Sequence, residues 1–269
     1  TFSPNRHNQF EVRYAFAKKV PETYQKSPNM LQQDELMWYT GTPGLKNIWN
    51  NYVQAVYTLI PNNRWQIAAT GRIFMADDRV VTRYLPIGPN GTMLRQYVNN
   101  GSFRSSSIGM KGTAKFFDGN LVVTLRPEMW LRRTTGEYAL THNELTCVAQ
   151  LTWYFGNFYL YGWYVTPSTY PYEESGIKER TPSRYQMELG YGKGPWRASA
   201  TAYNFLRSSW ESSRETLSSQ YYGFDRNIYS PELHMSFQIS VSYTFGYGKK
   251  VHRGDEVGGA GTGSSAILK

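Results

Sequence analysis

The segment Met235-Ser-Phe-Gln-Ile-Ser-Val-Ser-Tyr-Thr-Phe245 decides the fold class of this 269-residue chain. Its odd-numbered residues are apolar or aromatic, while its even-numbered residues are serine, glutamine or threonine. Side chains alternate between the two faces of a β-strand, so this pattern predicts a strand with one apolar and one polar face. Its length is also that of a tilted strand that crosses a bilayer, about 9–11 residues.

The same alternation recurs along the whole chain, and no helical periodicity of comparable length competes with it. The clearest further segments begin at Trp65, Ile108, Leu121 and Leu145. Weaker versions cover residues 10–16, 52–59, 158–165, 185–191 and 196–205. We therefore predict an all-β fold of about ten strands. Pro127 interrupts one of them and predicts a bulge or a position near the outer rim.

Short and long connections between these segments alternate. Short turns with Gly, Asn, Asp or Pro lie at 61–63, 118–119, 156–157 and 193–194. Long polar connections cover roughly 19–47, 76–101, 167–182 and 207–230, with a brief exception near Gly136. In an up-and-down sheet this order places the short turns at one end, as in transmembrane β-barrels.

Aromatic residues gather at the short-turn end, as the girdle of a membrane protein does. They make up 16% of the chain, yet the mean hydropathy is −0.55. No segment has the roughly 20 apolar residues of a transmembrane helix. We therefore predict a transmembrane antiparallel up-and-down β-barrel, in preference to a soluble β-sandwich such as a carbohydrate-binding module. The predicted strands either close as a small barrel or form an arc of a larger one.

Three short pieces resemble TonB-dependent-receptor-like outer-membrane β-barrel proteins. They are the ending, which comprises Ser240 through Gly259 and Ser264-Ser-Ala-Ile-Leu-Lys269, the piece Gly41-Thr-Pro-Gly-Leu-Lys46, and the piece Asn99-Asn-Gly-Ser-Phe-Arg-Ser105. The resemblance implies that this chain is the C-terminal part of a larger, 22-stranded barrel. It also implies that sequence outside this chain supplies a plug domain and a segment that contacts TonB.

This resemblance gives the expected organisation and function. Residues 1–247 are predicted to form the barrel portion with long extracellular loops, and residues 248–269 a flexible periplasmic tail. The expected location is the bacterial outer membrane, with lipid, lipopolysaccharide and a surface lipoprotein as partners. The expected role is that of barrel wall and recognition loops in nutrient uptake. The alternative is a self-contained ten-stranded barrel that acts as an enzyme or adhesin.

The net charge of +9 is spread along the chain, which argues against nucleic-acid binding. On the polar register, the cations that we expect to line the lumen are Arg72, Lys111, Lys115 and Arg126. Trp130 lies on the same register, where we expect it to pack against a plug or a loop. In the long connections, the candidate ligand-stacking residues are Tyr170, Tyr172, Tyr221 and Tyr222.

Enzyme chemistry has weak support in the sequence. The four histidines are scattered and have no metal-ligand spacing, and Cys147 is the one cysteine. Asp77-Asp78 with His142 or His234 is the one catalytic pairing to consider, by analogy with ten-stranded omptin-type proteases. We therefore predict no enzyme, no cofactor and no metal site.

Overall fold

A computed structural model describes residues 1–172, 174–230 and 234–245. Within them are nineteen strands and one helical turn, α1 (Thr23–Lys26). The strands are β1 (Phe2–Asn5), β2 (Asn8–Lys19), β3 (Leu31–Gln32), β4 (Met37–Thr40), β5 (Ile48–Asn62), β6 (Trp65–Asp77), β7 (Val80–Pro86), β8 (Met93–Asn99), β9 (Phe103–Phe116), β10 (Leu121–Thr134), β11 (Leu140–Phe155), β12 (Phe158–Val165), β13 (Ser168–Tyr172), β14 (Ile177–Thr181), β15 (Arg184–Lys193), β16 (Trp196–Tyr203), β17 (Glu211–Ser218), β18 (Gly223–Tyr229) and β19 (Ser236–Tyr243). A single 3-10 turn, Phe117–Gly119, joins β9 to β10.

Eleven strands form one antiparallel sheet, which we call the wall. Their order is β1-β2-β5-β6-β9-β10-β11-β12-β15-β16-β19, so every strand pairs with its predecessor and successor in the wall. Ten of them are the predicted strands, and the short β1 was not predicted. The described residues leave β1 and β19 as unpaired edges, so they do not form the closed ten-stranded barrel of the alternative.

The prediction for Pro127 is wrong. β10 passes through this residue in the middle of the strand, and its register with β9 and β11 does not shift there. The wall has register shifts instead in β5, between Leu59 and Asn62 beside the turn into β6, and in the pairing of β1 with β2.

The two faces of the wall have the predicted chemistry. Cross-strand partners share a face, so Leu125, Ala149 and Tyr164 define one apolar register across three strands. We call this the outer face, and it leaves large apolar side chains exposed: Ile73, Ile108, Leu125, Leu145, Leu189, Phe237 and Ile239. A patch of this size fits an environment of hydrocarbon. No helix among the described residues has the length and hydropathy for crossing a membrane.

Aromatic rings line the short-turn end of the wall as predicted. Ring centroids are 5.9 Å apart in Trp65–Phe116 and 5.8 Å apart in Phe155–Phe158. The same row continues with Phe158–Tyr191 at 4.9 Å and with Trp196–Tyr243 and Tyr243–Phe245 at 4.7 Å each. These contacts join neighbouring hairpins into the girdle that the sequence indicated.

The long connections are more ordered than the sequence indicated. The first two form a four-stranded sheet with the order β3-β4-β8-β7, in which β4 and β8 are parallel. The last two form a second sheet with the order β13-β14-β17-β18. We call these two sheets together the cap. The predicted tail, residues 248–269, lies outside the described residues.

One hydrophobic cluster holds the two cap sheets together. It includes Val81 and Tyr84 of β7, Leu217 of β17 and Tyr138 of the brief connection. The Tyr84 ring packs on Tyr222 with centroids 4.7 Å apart. The Tyr138 hydroxyl donates a hydrogen bond to the carbonyl of Thr82, and the Thr82 amide donates to the carbonyl of Glu174 at 2.8 Å.

A second cluster joins the cap to the wall. Leu45, Val80 and Phe103 are buried together there. The Asn99 side chain accepts a hydrogen bond from the Lys46 amide at 2.7 Å and donates one to the Asp78 carbonyl at 2.6 Å. Two of the three family-like pieces, 41–46 and 99–105, therefore meet at this junction.

Candidate ligand site on the inner face

The face of the wall opposite the exposed apolar residues, the inner face, carries the predicted lumen cations. Arg72 of β6 donates to the carboxylate of Glu128 on β10, and the Ser107 hydroxyl donates to the same carboxylate at 2.7 Å. Because β9 lies between β6 and β10, these contacts place all three side chains on one face. Arg72 therefore neutralises an acidic residue of the wall itself.

The other three predicted cations lie nearer the short-turn end of the same face. Lys111 faces Ala68 of β6, and Lys115 faces Val122 of β10. Arg126 donates a hydrogen bond to Gln150 Oε1 at 3.3 Å. All three residues are exposed, so they give this part of the inner face a positive potential.

A cavity lies higher on the inner face, where β13 of the cap folds over the wall. Its volume is about 530 Å³. Wall residues of the polar register form its floor, and the segment Ser168–Tyr170 forms its roof. The side chains with the chemistry for ligand binding are Phe74, Phe103, Trp130, Arg132, Glu144 and Tyr170.

Arg132 is the central charged group of this cavity. Its guanidinium carbon lies 4.5 Å from the ring centroid of Trp130 and 5.0 Å from that of Tyr170. The residue is 8% exposed. Two aromatic rings hold the planar guanidinium in place, and such a group recognises planar anions by paired hydrogen bonds.

Glu144 fixes the roof of the cavity. Its Oε1 accepts a hydrogen bond from the Thr169 amide at 2.6 Å, which ties β13 to β11. Its Oε2 lies 3.6 Å from Nε2 of His142, which faces Arg132 across the strand pair. The cavity thus joins one held cation, one carboxylate and several rings.

The four predicted loop tyrosines have different places. Tyr170 and Tyr172 contact each other with centroids 4.9 Å apart, and Tyr170 alone of the four lines the cavity beside Arg132. Tyr172 donates to Glu179 at 2.6 Å, and this hydrogen bond raises the pKa of Tyr172 to about 12. Tyr222 packs in the cap core, whereas Tyr221 is exposed at a turn.

The sequence interpretation missed Arg132 and Glu144 as site residues. Their signal was present, since Trp130, Arg132 and Glu144 all lie on the polar register of β10 and β11. The alternation predicts the face on which these residues lie. It does not predict that β13 folds over them. Trp130 was expected to face inward, and it does.

The considered catalytic pairing is not assembled. Asp77 lies at the outer face, where it accepts a hydrogen bond from Arg104 at 2.6 Å, whereas His142 lies on the inner face. His234 stacks on Trp210 with centroids 3.9 Å apart. Across the described part of the chain, no three His, Cys, Asp or Glu side chains gather in a metal-binding group.

Comparison with known proteins gives the fold. No family model matches the chain, and no curated protein matches it. Among solved structures, the chain is similar to the copper transporter OprC, with a TM-score of 0.61 and 13% identity over 88% of this chain and 38% of that one. This likeness supports a transmembrane barrel wall over a soluble sandwich.

Two further structures have the same architecture. The FrpB iron transporter from Neisseria meningitidis (F3-3 variant) gives a TM-score of 0.57 and 12% identity over 91% of this chain and 38% of that one. The siderophore receptor PirA from Pseudomonas aeruginosa gives 0.56 and 14%, over 79% and 39%. This chain spans about two fifths of the length of each of the three structures.

Proposed function

We propose that this chain forms wall strands and outer recognition loops of a bacterial outer-membrane transporter that takes up a bulky nutrient. The observation that carries the proposal is the roofed cavity on the inner face, about 530 Å³ in volume, within a wall whose other face is apolar. The similar structures, two named transporters and one named receptor, support the same role.

The chemistry of the cavity favours a bulky anionic organic ligand. Arg132 supplies a held positive charge, and Trp130 and Tyr170 supply rings on which a planar group can stack. A metal bound within an anionic organic chelate meets both requirements. A bare metal ion has less support, because the described residues contain no cluster of ligating side chains.

The inner-face cations suggest a second part of the proposal. Lys111, Lys115 and Arg126 form an exposed positive area below the cavity. We propose that a plug domain from sequence outside this chain covers this area with acidic side chains, and that TonB energises uptake through that plug. A surface lipoprotein as partner stays a prediction from the family resemblance.

The test uses the full-length protein that contains this chain, expressed in cells that lack it. Uptake is measured for a panel of radiolabelled ferric chelates, anionic and neutral. Arg132→Gln and, separately, Tyr170→Ala are expected to lower uptake of the transported chelate about tenfold at a concentration below saturation, because each weakens binding by the amount typical of a central arginine or aromatic contact.

The matched control is Arg13→Gln, which removes an exposed arginine that pairs with Glu11 away from the cavity. It is expected to leave uptake unchanged. Heat-modifiable gel migration verifies that each variant is folded. Normal uptake of every chelate by both cavity variants, with normal migration, contradicts the proposed site.

A further inference from the structure

A second hollow lies at the short-turn end of the inner face, and we call it the lower pocket. Its volume is about 350 Å³. Alternate residues of a strand share a face, so Tyr154 of β11 lies on the inner face with Gln150, the partner of Arg126. The row of directly paired residues that crosses the lower pocket from β11 to β19 is Tyr154, Tyr159, Gly190, Ser199 and Ser240. The lower pocket therefore faces the lumen.

Small residues give the lower pocket its depth. Gly192 of β15 pairs with Arg197 of β16 in the next row, and a Cβ atom at Gly192 would meet nothing within 4 Å beyond its chain neighbours. Ser199, Ser240 and Ser242 contribute short side chains that end in hydroxyl groups. The wall is thus hollowed over neighbouring strands, and hydrogen-bonding groups line the hollow.

One cation and two aromatic rings stand around this hollow. Arg197 is exposed, and none of the ion pairs in the described part of the chain involves it. The rings of Tyr154 and Tyr159 have centroids 6.3 Å apart. The Tyr159 hydroxyl donates a hydrogen bond to Glu188, which fixes this ring beside the lower pocket. An arginine beside two aromatic rings is also what the roofed cavity contains.

A column of aromatic side chains on β12 connects the roofed cavity with the lower pocket. Tyr159, Tyr161 and Trp163 occupy alternate, half-buried positions on the inner face. The Trp163 indole donates a hydrogen bond to Gln186 at 2.6 Å, which fixes the ring. At about 3.3 Å per residue, Tyr159 lies about 13 Å below Trp163 along the strand. Because β13 begins three residues after β12 ends, the column starts directly beneath the roof of the cavity.

We propose that the lower pocket is a second binding site for the transported anionic ligand, which occupies it on the way to the periplasm. Planar groups of the ligand stack on the aromatic column, and the Arg197 guanidinium binds the negative charge through paired hydrogen bonds. A second site of the same chemistry lowers the barrier between the roofed cavity and the short-turn end, because the anion does not lose all its partners in a single step. The inference rests on the proposed function and adds a route for the ligand.

The test uses the full-length protein, expressed in cells that lack it. The probes are two radiolabelled anions, ferric citrate and the ferric complex of a hexadentate tris-catecholate. Binding is measured on cells treated with a protonophore, and the maximal uptake rate is measured on energised cells at a saturating probe concentration.

Two variants alter the lower pocket in opposite ways. Arg197→Gln removes its charge and is expected to lower the maximal uptake rate about tenfold, since hydrogen bonds to charged groups supply a difference of this order. Gly192→Leu places a side chain in the open space of the pocket and is expected to lower the rate similarly. Binding to de-energised cells is expected to stay unchanged in both, because the roofed cavity is intact.

The matched control is Lys193→Gln, which removes a positive charge from the same end of the wall. Lys193 pairs with Trp196 on the outer register, so both measurements are expected to stay at the wild-type level. An unchanged maximal rate in both pocket variants overturns the inference, and so does an equal loss in the control. A parallel fall in binding also overturns it, because the lower pocket is then not separate from the cavity. The proposed function fails differently, through a wild type that takes up neither probe, and the inference then falls with it.

Discussion

The wall and the cap of this protein place their apolar side chains in opposite ways. In the wall they point outward and stay exposed, as Ile239 does at 81%. In the cap they point inward, as Leu217 does at 3%. A large exposed apolar face is stable only where hydrocarbon replaces water. In water, the hydrophobic effect favours apolar side chains that are buried together. One chain is thus built for two solvents, and the change from one to the other follows the junction of the wall and the cap.

The largest expected effect comes from the cap core. Leu217→Ala is expected to destabilise the cap by about 2–5 kcal/mol, because it removes a buried side chain and leaves a cavity. Hydrogen exchange should speed up for amides of β7, β8, β17 and β18, while amides in the wall keep their protection. The control, Leu206→Ala, removes a side chain that is 82% exposed. It should change neither the stability of the cap nor its hydrogen exchange. Equal effects of the two variants contradict the buried role of Leu217.

A slightly smaller effect is expected from a charge on the outer face. Ala200 and Ser199 are neighbours in β16, and Ala200 pairs with Ile239 on the outer register. Ala200→Arg is expected to cost about 2–4 kcal/mol in lipid, while Ser199→Arg on the inner face costs much less. Unfolding by urea in phosphatidylcholine vesicles measures the difference. The assignment of faces is wrong if Ser199→Arg is the more harmful change.

The smallest effect is expected from Tyr138 at high pH. Burial raises the pKa of Tyr138 and also that of Tyr84 above the ordinary tyrosine value of 10. A raised pKa in the folded cap gives stability that is complete below pH 10 and is lost as the pH rises toward the folded values. The cap should therefore open at alkaline pH, which tyrosinate absorbance and hydrogen exchange both detect.

Tyr138→Phe separates the contribution of Tyr138 to the alkaline transition from that of Tyr84. It removes the hydrogen bond to the Thr82 carbonyl, at an expected cost of about 0.5–1.5 kcal/mol at neutral pH. It should also weaken the alkaline transition without abolishing it, because Tyr84 remains. An unchanged transition shows that Tyr138 does not contribute.

The wall was predictable from the sequence because the alternation that predicts each strand lies within that strand. A period of two in residues 235–245 fixes both the strand and the face of each side chain, and the same holds for the strands at Trp65 and Leu121. β1 was missed because four residues, Phe2–Asn5, are too few to show a period.

The cap and the cavity depend on contacts between distant segments. Nothing near Met37 indicates that β4 pairs in parallel with β8, about 55 residues later. For the same reason Tyr222 was predicted as a ligand-stacking residue, although it packs in the cap core. In the sequence, Arg132 looks like any other lumen cation. Its role depends on β13, which places Tyr170 over its guanidinium group.

The shared hydrophobic cluster of the cap determines how a molecule from outside reaches the inner face. Segments of all four long connections meet there, and the Thr82 amide joins β7 to Glu174 of another connection. Because no hairpin can swing away without unpacking the others, we expect access to change in one cooperative step. Its timescale is then that of a folded unit that opens, microseconds or slower, rather than the nanoseconds of independent loops.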